Sequence, residues 1–409
     1  MPHHASLVSL ANESSRVPPV RIDFALHLLS LAALGGTFAS CGSASSSTTP
    51  PAGCTDTLDA LVAMSDYDSS ACGAVTVDAR VEPTLQAGPD LGKDPQLVVS
   101  RGRAFFIARD RDAVFELRAA CGVPTASFST ADPAHKGSTN PQDVAVAADG
   151  SLWIPRFAIP SIVVIGPDGK QRGTIDLSKS PRGLTDPDGN PNASAIRIVD
   201  VGGKAKAFVA LEILDDNDRL ASKLDSKMLR IDVDTMTVED EVVLAARDPF
   251  NPMTEHAGAF FLAAPGNFDA LAEDKAGIER FDPLTFASKL LVPEKELGGS
   301  VTAIAITDGC GAAIVADATT NVNATGLVTF DPTTGTVVTS LAASPLKTDG
   351  FDILAIAWKG DVLLVGDKRR AATGYPIHAF QRKPGTCELT PLPDRVFVAQ
   401  KPIVLRTPG

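Results

Sequence analysis

The chain is poor in the residues on which much binding and catalytic chemistry relies. Of 409 residues, two are Trp and two are Tyr, and aromatics make up 5%. A platform for extended glycans stacks sugar rings on such side chains, so glycan binding is not expected. Histidines number six. His3, His4 and His27 fall in the leader, which leaves His135, His256 and His378. His256, with Glu255 beside it, is read as opening the fifth repeat near the axis and is the one candidate acid or base; a lone histidine is more often structural. Positive charge is scarce as well, with 37 Lys and Arg against 49 Asp and Glu, a net charge of −12. Binding to a phosphate backbone needs clustered Lys and Arg, and the longest basic run is Lys368-Arg369-Arg370, so no nucleic-acid partner is expected. No serine sits in a nucleophile elbow, and no glycine-rich phosphate loop follows a strand and opens a helix. The six cysteines show no metal-knuckle spacing. With Cys41 set aside, an odd five remain, Cys54, Cys72, Cys121, Cys310 and Cys387, and their pairing is left open. No apolar run reaches the roughly 20 residues of a spanning helix.

The longest apolar run, Phe24 to Ala39, follows Arg16 and Arg21 and has the length of an export signal, placed at residues 1–40. It ends in Thr37-Phe38-Ala39-Ser40-Cys41, which resembles the bacterial lipobox, although that motif usually has Leu where Phe38 stands. The resemblance implies lipidation at Cys41. Residues 41–55 are rich in Ser, Thr and Pro and have the composition of a flexible tether. The expected product is exported and lipid-anchored in a bacterial envelope, at the periplasm or the cell surface, with a folded domain over residues 56–409.

Within that domain a short apolar run recurs seven times and ends each time in a turn. Marking the run ends at residues 78, 117, 166, 232, 282, 331 and 381 gives spacings of 39, 49, 66, 50, 49 and 50. A period near fifty predicts a repeat fold. The clearest unit begins at Ser300. Val301–Ile306, Ala312–Asp317, Gly326–Asp331 and Thr336–Leu341 read as four strands separated by Thr-Asp-Gly, a polar loop and Pro-Thr-Thr-Gly. Such sheets must cover each other's faces, so the predicted fold is all-β: a β-propeller of seven four-stranded antiparallel blades, with six or eight as the alternative counts. The first unit lacks an innermost strand, and Ile403-Val404-Leu405 is a spare strand at the far end. That strand is expected to complete the first blade and close the ring.

Pro141-Gln142-Asp143-Val144-Ala145-Val146-Ala147-Ala148-Asp149-Gly150-Ser151-Leu152-Trp153-Ile154 resembles blades of the NHL, gluconolactonase and virginiamycin B lyase type of propeller. The resemblance covers one blade well and the others in pattern. It supports the fold more than any chemistry, because propellers host enzymes, binding modules and scaffolds. The gluconolactonases hold a metal through a glutamate, an asparagine and an aspartate from separate blades, and those motifs have no residue-by-residue match here.

Long loops are expected on one face of the disc, at Asp215 to Lys227, Asn267 to Ala276, Thr319 to Thr325 and Ser178 to Asn192. In the last of these, Asp186, Asp188, Asn190 and Asn192 place oxygen donors at alternate positions, a spacing able to wrap calcium and also an ordinary composition for a turn-rich loop. Asp215-Asp216-Asn217-Asp218 is similar. Aligning the second strands places Asp66, Arg109, Arg156, Glu212, Asp317 and Asp367 in a ring at the channel mouth. This ring is either a polar binding site on the axis or a set of interblade ion pairs. The functional expectation is a monomeric, envelope-anchored binding or scaffolding module for a protein or small polar ligand. The alternative is a metal-dependent propeller hydrolase or lyase acting on the axis.

Overall fold

A computed structural model of the chain describes residues 60–75, 91–118, 123–178, 186, 188–218, 220–268, 273–317 and 324–407. The export signal, Cys41, the tether, Cys54 and Cys121 lie outside the described residues, as do parts of all four long loops. The fold is an all-β propeller of seven blades with almost no helix; among the described residues the one α-helix is Glu294–Leu297.

Blade 1 is built from both ends of the chain. Ala60–Ser65 lies between Ser70–Val75 and Pro402–Arg406. The closing strand pairs antiparallel with it through Leu61↔Arg406, Val62↔Leu405 and Ala63↔Val404. Blades 2 to 7 are four-stranded antiparallel meanders that begin at Pro95, Ala145, Ala193, Phe250, Gly299 and Ile353. Blade 6 carries an extra two-residue strand, Lys347–Thr348, paired with Thr325 and Gly326.

Strand character follows position in the blade. Second strands are covered on both faces: Leu152–Arg156, Ala259–Ala264 and Cys310–Asp317 are buried at every residue, which is why they read as unbroken apolar runs. Outer strands meet solvent, and Gln171–Asp176 buries one residue in six.

Seven apolar clusters hold the ring, and each fills the gap between two neighbouring blades. Leu61, Leu97 and Phe106 join blades 1 and 2. Ile107 and Ile154 join blades 2 and 3, and Trp153 and Val209 join blades 3 and 4. Phe208, Phe260 and Phe281 join blades 4 and 5, with the Phe208 ring centroid 5.6 Å from Phe260 and 5.9 Å from Phe281. Blades 5 and 6 meet at Phe261 and Val328, blades 6 and 7 at Ile314 and Trp358. Leu364 and Leu405 close the last gap. Within blade 6 glycine permits a close cross-strand contact: a Cβ on Gly311 would stand 2.2 Å from Cζ of its partner Phe330. A disulfide, Cys310–Cys387, also links blades 6 and 7, and Cys72 is a buried free thiol pushed up to about 12 by burial.

Blade 5 begins earlier than its sequence pattern indicates. Its inner strand runs Phe250–His256, so Glu255 and His256 close that strand instead of opening it. Asn251 at φ 70° and Pro252 interrupt the ladder, and the register shifts between Phe250 and Thr254, which hides the strand start.

Candidate functional site

In each blade the loop between the second and third strands and the connection to the next blade emerge on one face, and the two hairpin turns emerge on the other. The six ring residues stand at the loop face. Each has its own partner there. Asp66 caps its turn, accepting hydrogen bonds from the backbone N–H of Ser69 at 2.7 Å and of Asp68 at 3.0 Å, which lower its pKa. Arg109 pairs with Asp94 and donates to Gln142 Oε1 at 2.9 Å, crossing from blade 2 to blade 3. Arg156, which is buried, donates to Ser161 Oγ at 2.9 Å and pairs with Asp132 at 3.4 Å. Asp317 pairs with Lys347 at 2.9 Å. Asp367 meets Arg369 at 2.8 Å and His378 Nε2 at 3.1 Å. Burial works against ionisation of Asp367, but the His378 and Arg369 hydrogen bonds outweigh it and hold the carboxyl well below the usual range. The blade 5 position is Ala264.

Glu212 is the exception in kind. It shares a hydrogen bond with Asp248, and both carboxyls are buried. Burial first, and then the neighbouring Asp248 charge, raises Glu212 well above the ordinary glutamate value; burial pushes Asp248 up to about 7. Two acids so placed keep protons that exposed carboxyls would lose.

Below the mouth, polar side chains occupy the axis itself. Gln96 on the inner strand of blade 2 donates from Nε2 to Asn251 Oδ1 of blade 5 at 3.4 Å. Those blades are three apart in the ring, so this contact crosses the channel. Asn251 in turn donates to the Thr302 carbonyl of blade 6 at 2.8 Å. Arg197 of blade 4 pairs with the fully buried Asp143 of blade 3 at 2.8 Å and donates to the Met253 carbonyl of blade 5. Burial raises Asp143 against the pull of Arg197. Arg406, from the closing strand, is pushed down to about 10 by burial and by Arg197. Gln96, Asp143, Arg197, Asp248, Asn251 and Arg406 were not singled out by sequence; a polar residue interrupting an apolar inner strand, such as Arg197 within Ala193–Val201, is the signal that marks such positions.

The long loops of blades 3 to 5 are tied into one ledge. Asn192 Nδ2 donates to Asp216 Oδ1 at 2.9 Å, and the Asp216 N–H donates to Asp188 Oδ2 at 2.9 Å. The Ser222 N–H donates to Asn267 Oδ1 at 2.8 Å. Asp225 pairs with Arg247 at 3.0 Å and with Lys275 at 2.7 Å. Leu220 and Leu224 are exposed on this ledge. The two acidic loops read separately in the sequence, at Asp186 and at Asp215, therefore form a single cluster. Desolvation, with the Asp188 and Asp216 charges adding to it, pushes Asp186 up to about 7. Among the described residues no three His, Cys, Asp or Glu side chains are gathered as ligands of one metal ion.

His256 stands on the opposite face, beside the blade 5 hairpin turn and 3.6 Å from the exposed Asp308. Its neighbour Glu255 is exposed. His135 borders a surface hollow of about 360 Å³ near Asp132, Arg156 and Asp176.

No protein-family model matches the chain, and no curated protein matches its sequence. Solved structures match it in shape. A putative 6-phosphogluconolactonase from Bacteroides fragilis is 15% identical over 87% of this chain and 99% of its own, with a TM-score of 0.53. The WD40 repeats of RRP9 are 11% identical over 76% of this chain and 82% of theirs, with a TM-score of 0.51. A streptogramin B lyase is 14% identical over 77% of this chain and 86% of its own, with a TM-score of 0.47. Likeness at such identity concerns the fold, and propellers of this shape carry unrelated functions.

Proposed function

We propose that the protein is an exported propeller, lipid-anchored through Cys41 to a bacterial envelope, whose loop face is a binding module. The observation that carries this reading is the ledge of blades 3 to 5, where loops from three blades are cross-bridged into a preorganised surface with Leu220 and Leu224 exposed among charged side chains. Rigid loops lose little conformational freedom on binding, and apolar side chains rimmed by charge suit a protein partner. The axis supports binding over turnover. The Gln96–Asn251 bridge crosses it, and the Asp143 carboxylate there is already paired with Arg197. The Cys310–Cys387 disulfide fits an oxidising compartment, and the Ser- and Thr-rich residues 41–55 fit a tether.

Cell fractionation with lipid labelling tests the anchor. Wild-type protein incorporates label and sediments with membranes, whereas Cys41→Ala protein is unlabelled and is released. Equal membrane retention of the variant contradicts the anchor. The binding face is tested by Leu220→Asp/Leu224→Asp, which should abolish partner recovery without changing the melting temperature; recovery at the wild-type level contradicts it.

The buried Glu212–Asp248 pair favours one second reading, an acid pair serving a reaction at the mouth. Turnover of a lactone or glycosidic substrate that is lost in Asp248→Asn but kept in the ledge variant would establish it.

A further inference from the structure

The connection from blade 3 to blade 4 contains two polar atoms that folding leaves without a hydrogen bond, Asp186 Oδ2 and Asn190 Oδ1, both shut off from solvent. Asn190 is 9% exposed. Buried oxygens of this kind normally find a donor, and one that does not is a place for an ordered water or an ion. The other end of the Asn190 amide is held in place: Nδ2 donates to Asp216 Oδ2 at 2.8 Å and to the Phe157 carbonyl at 3.1 Å. The unbonded oxygen belongs to the same small planar group, whose nitrogen is bonded to the Asp216 carboxylate. Asp216 has one hydrogen bond on each oxygen, from Asn190 and from Asn192, and each oxygen keeps a further lone pair.

The neighbouring side chains hold this arrangement in place. Asp188 accepts from the Asn190 N–H at 3.0 Å and from the Asp216 N–H at 2.9 Å, which clamps the two loops together. Asn192 Oδ1 accepts from the Leu214 N–H at 3.0 Å. Lys223 of the blade 4 loop is taken up by Asp215 at 2.9 Å and by Asp218 at 2.6 Å. Among the described residues no Lys or Arg pairs with Asp186, Asp188 or Asp216.

We infer that the two loops together bind one calcium ion, with Asp186, Asn190 and Asp216 as side-chain ligands and with Asp188 and Asn192 as positioning residues. All the donors are hard oxygens, which excludes a thiolate- or imidazole-seeking metal. Two carboxylates and one amide on irregular loops leave room for water and backbone carbonyls to complete six to eight ligands, a flexible shell that calcium accepts and magnesium does not. The site requires no ion on the axis and no partner on the ledge, so it stands or falls independently of the binding reading.

The test is calorimetric titration of the EDTA-stripped full chain with calcium, alongside melting curves in calcium and in EDTA. One ion should bind per chain, and saturating calcium should raise Tm by about 2 °C or more. Asp186→Asn/Asp216→Asn should bind at least about tenfold more weakly while melting in EDTA as the wild type does. Asn190→Ala, which removes the unbonded oxygen and leaves both carboxylates, should weaken binding in the same direction and carries the test if the double variant does not fold. The inference is overturned if the wild type binds no calcium, if the variants bind it undiminished, or if magnesium raises Tm as much as calcium.

Discussion

Buried acids set the pH response of this molecule. Burial pushes Glu279 up to about 7 against hydrogen bonds from Ser288 and the Ala246 N–H, and Asp248 is likewise raised to about 7. A carboxyl whose folded-state pKa lies above its unfolded value keeps its proton longer in the native state. Its contribution to stability is complete below about pH 4 and is lost as pH rises through about 7. Stability in urea is therefore predicted to fall between about pH 4.5 and 7.5, by on the order of 1 kcal/mol or more for each such group. Glu279→Gln and Asp248→Asn should each flatten that slope, and a wild-type profile that is level across this window would contradict the assignment. Asp232 and Asp367, whose pKa values are lowered, act in the opposite sense and lose their contribution only at more acid pH.

At the scale of the strand and the loop, the closing strand and the disulfide are the points most open to measurement. Leu405 is fully buried between blades 1 and 7. Leu405→Asp places a charge there and should destabilise by roughly 3 kcal/mol or more in chemical denaturation, enough to open the ring; a change under about 1 kcal/mol would contradict closure by this strand. The Cys310–Cys387 bridge closes a loop with a sequence separation of 77. Its removal in Cys387→Ser should cost about 2–4 kcal/mol and should be matched by reduction of the wild type. Both elements bear on what the sequence made legible. The spare strand at Ile403 was readable because a repeat with a deficit at one end and a surplus at the other has one economical solution. The disulfide partners were not readable, because Cys310 and Cys387 lie in different repeats at unrelated positions. The start of blade 5 was hidden for a local reason, the Asn251-Pro252 interruption of its ladder.

For the whole molecule, seven interblade clusters convert a fifty-residue rhythm into a closed ring, and the periodicity of apolar runs carries that information directly. What periodicity does not carry is which polar side chains meet. Gln96 and Asn251 are 155 residues apart and touch only because blades 2 and 5 face each other across the channel. Asp188 and Asp216 are 28 residues apart and meet because a connection and a loop leave the disc on the same face. Alignment of strand ends places the charged ring at the mouth, whereas its division into separate local partners depends on loops that lie outside the repeat. Function on this scaffold is accordingly assigned to a face, and the face can be tested as such. Leu220 on the ledge and Leu284, 69% exposed on the hairpin-turn face of blade 5, are both exposed leucines. The most direct measurement is site-specific photocrosslinking in cells, with the probe at position 220 or at position 284. The account predicts a discrete, saturable crosslinked species from 220 that is absent from 284. Crosslinking from 284 alone, or equally from both positions, would contradict the loop face as the binding surface.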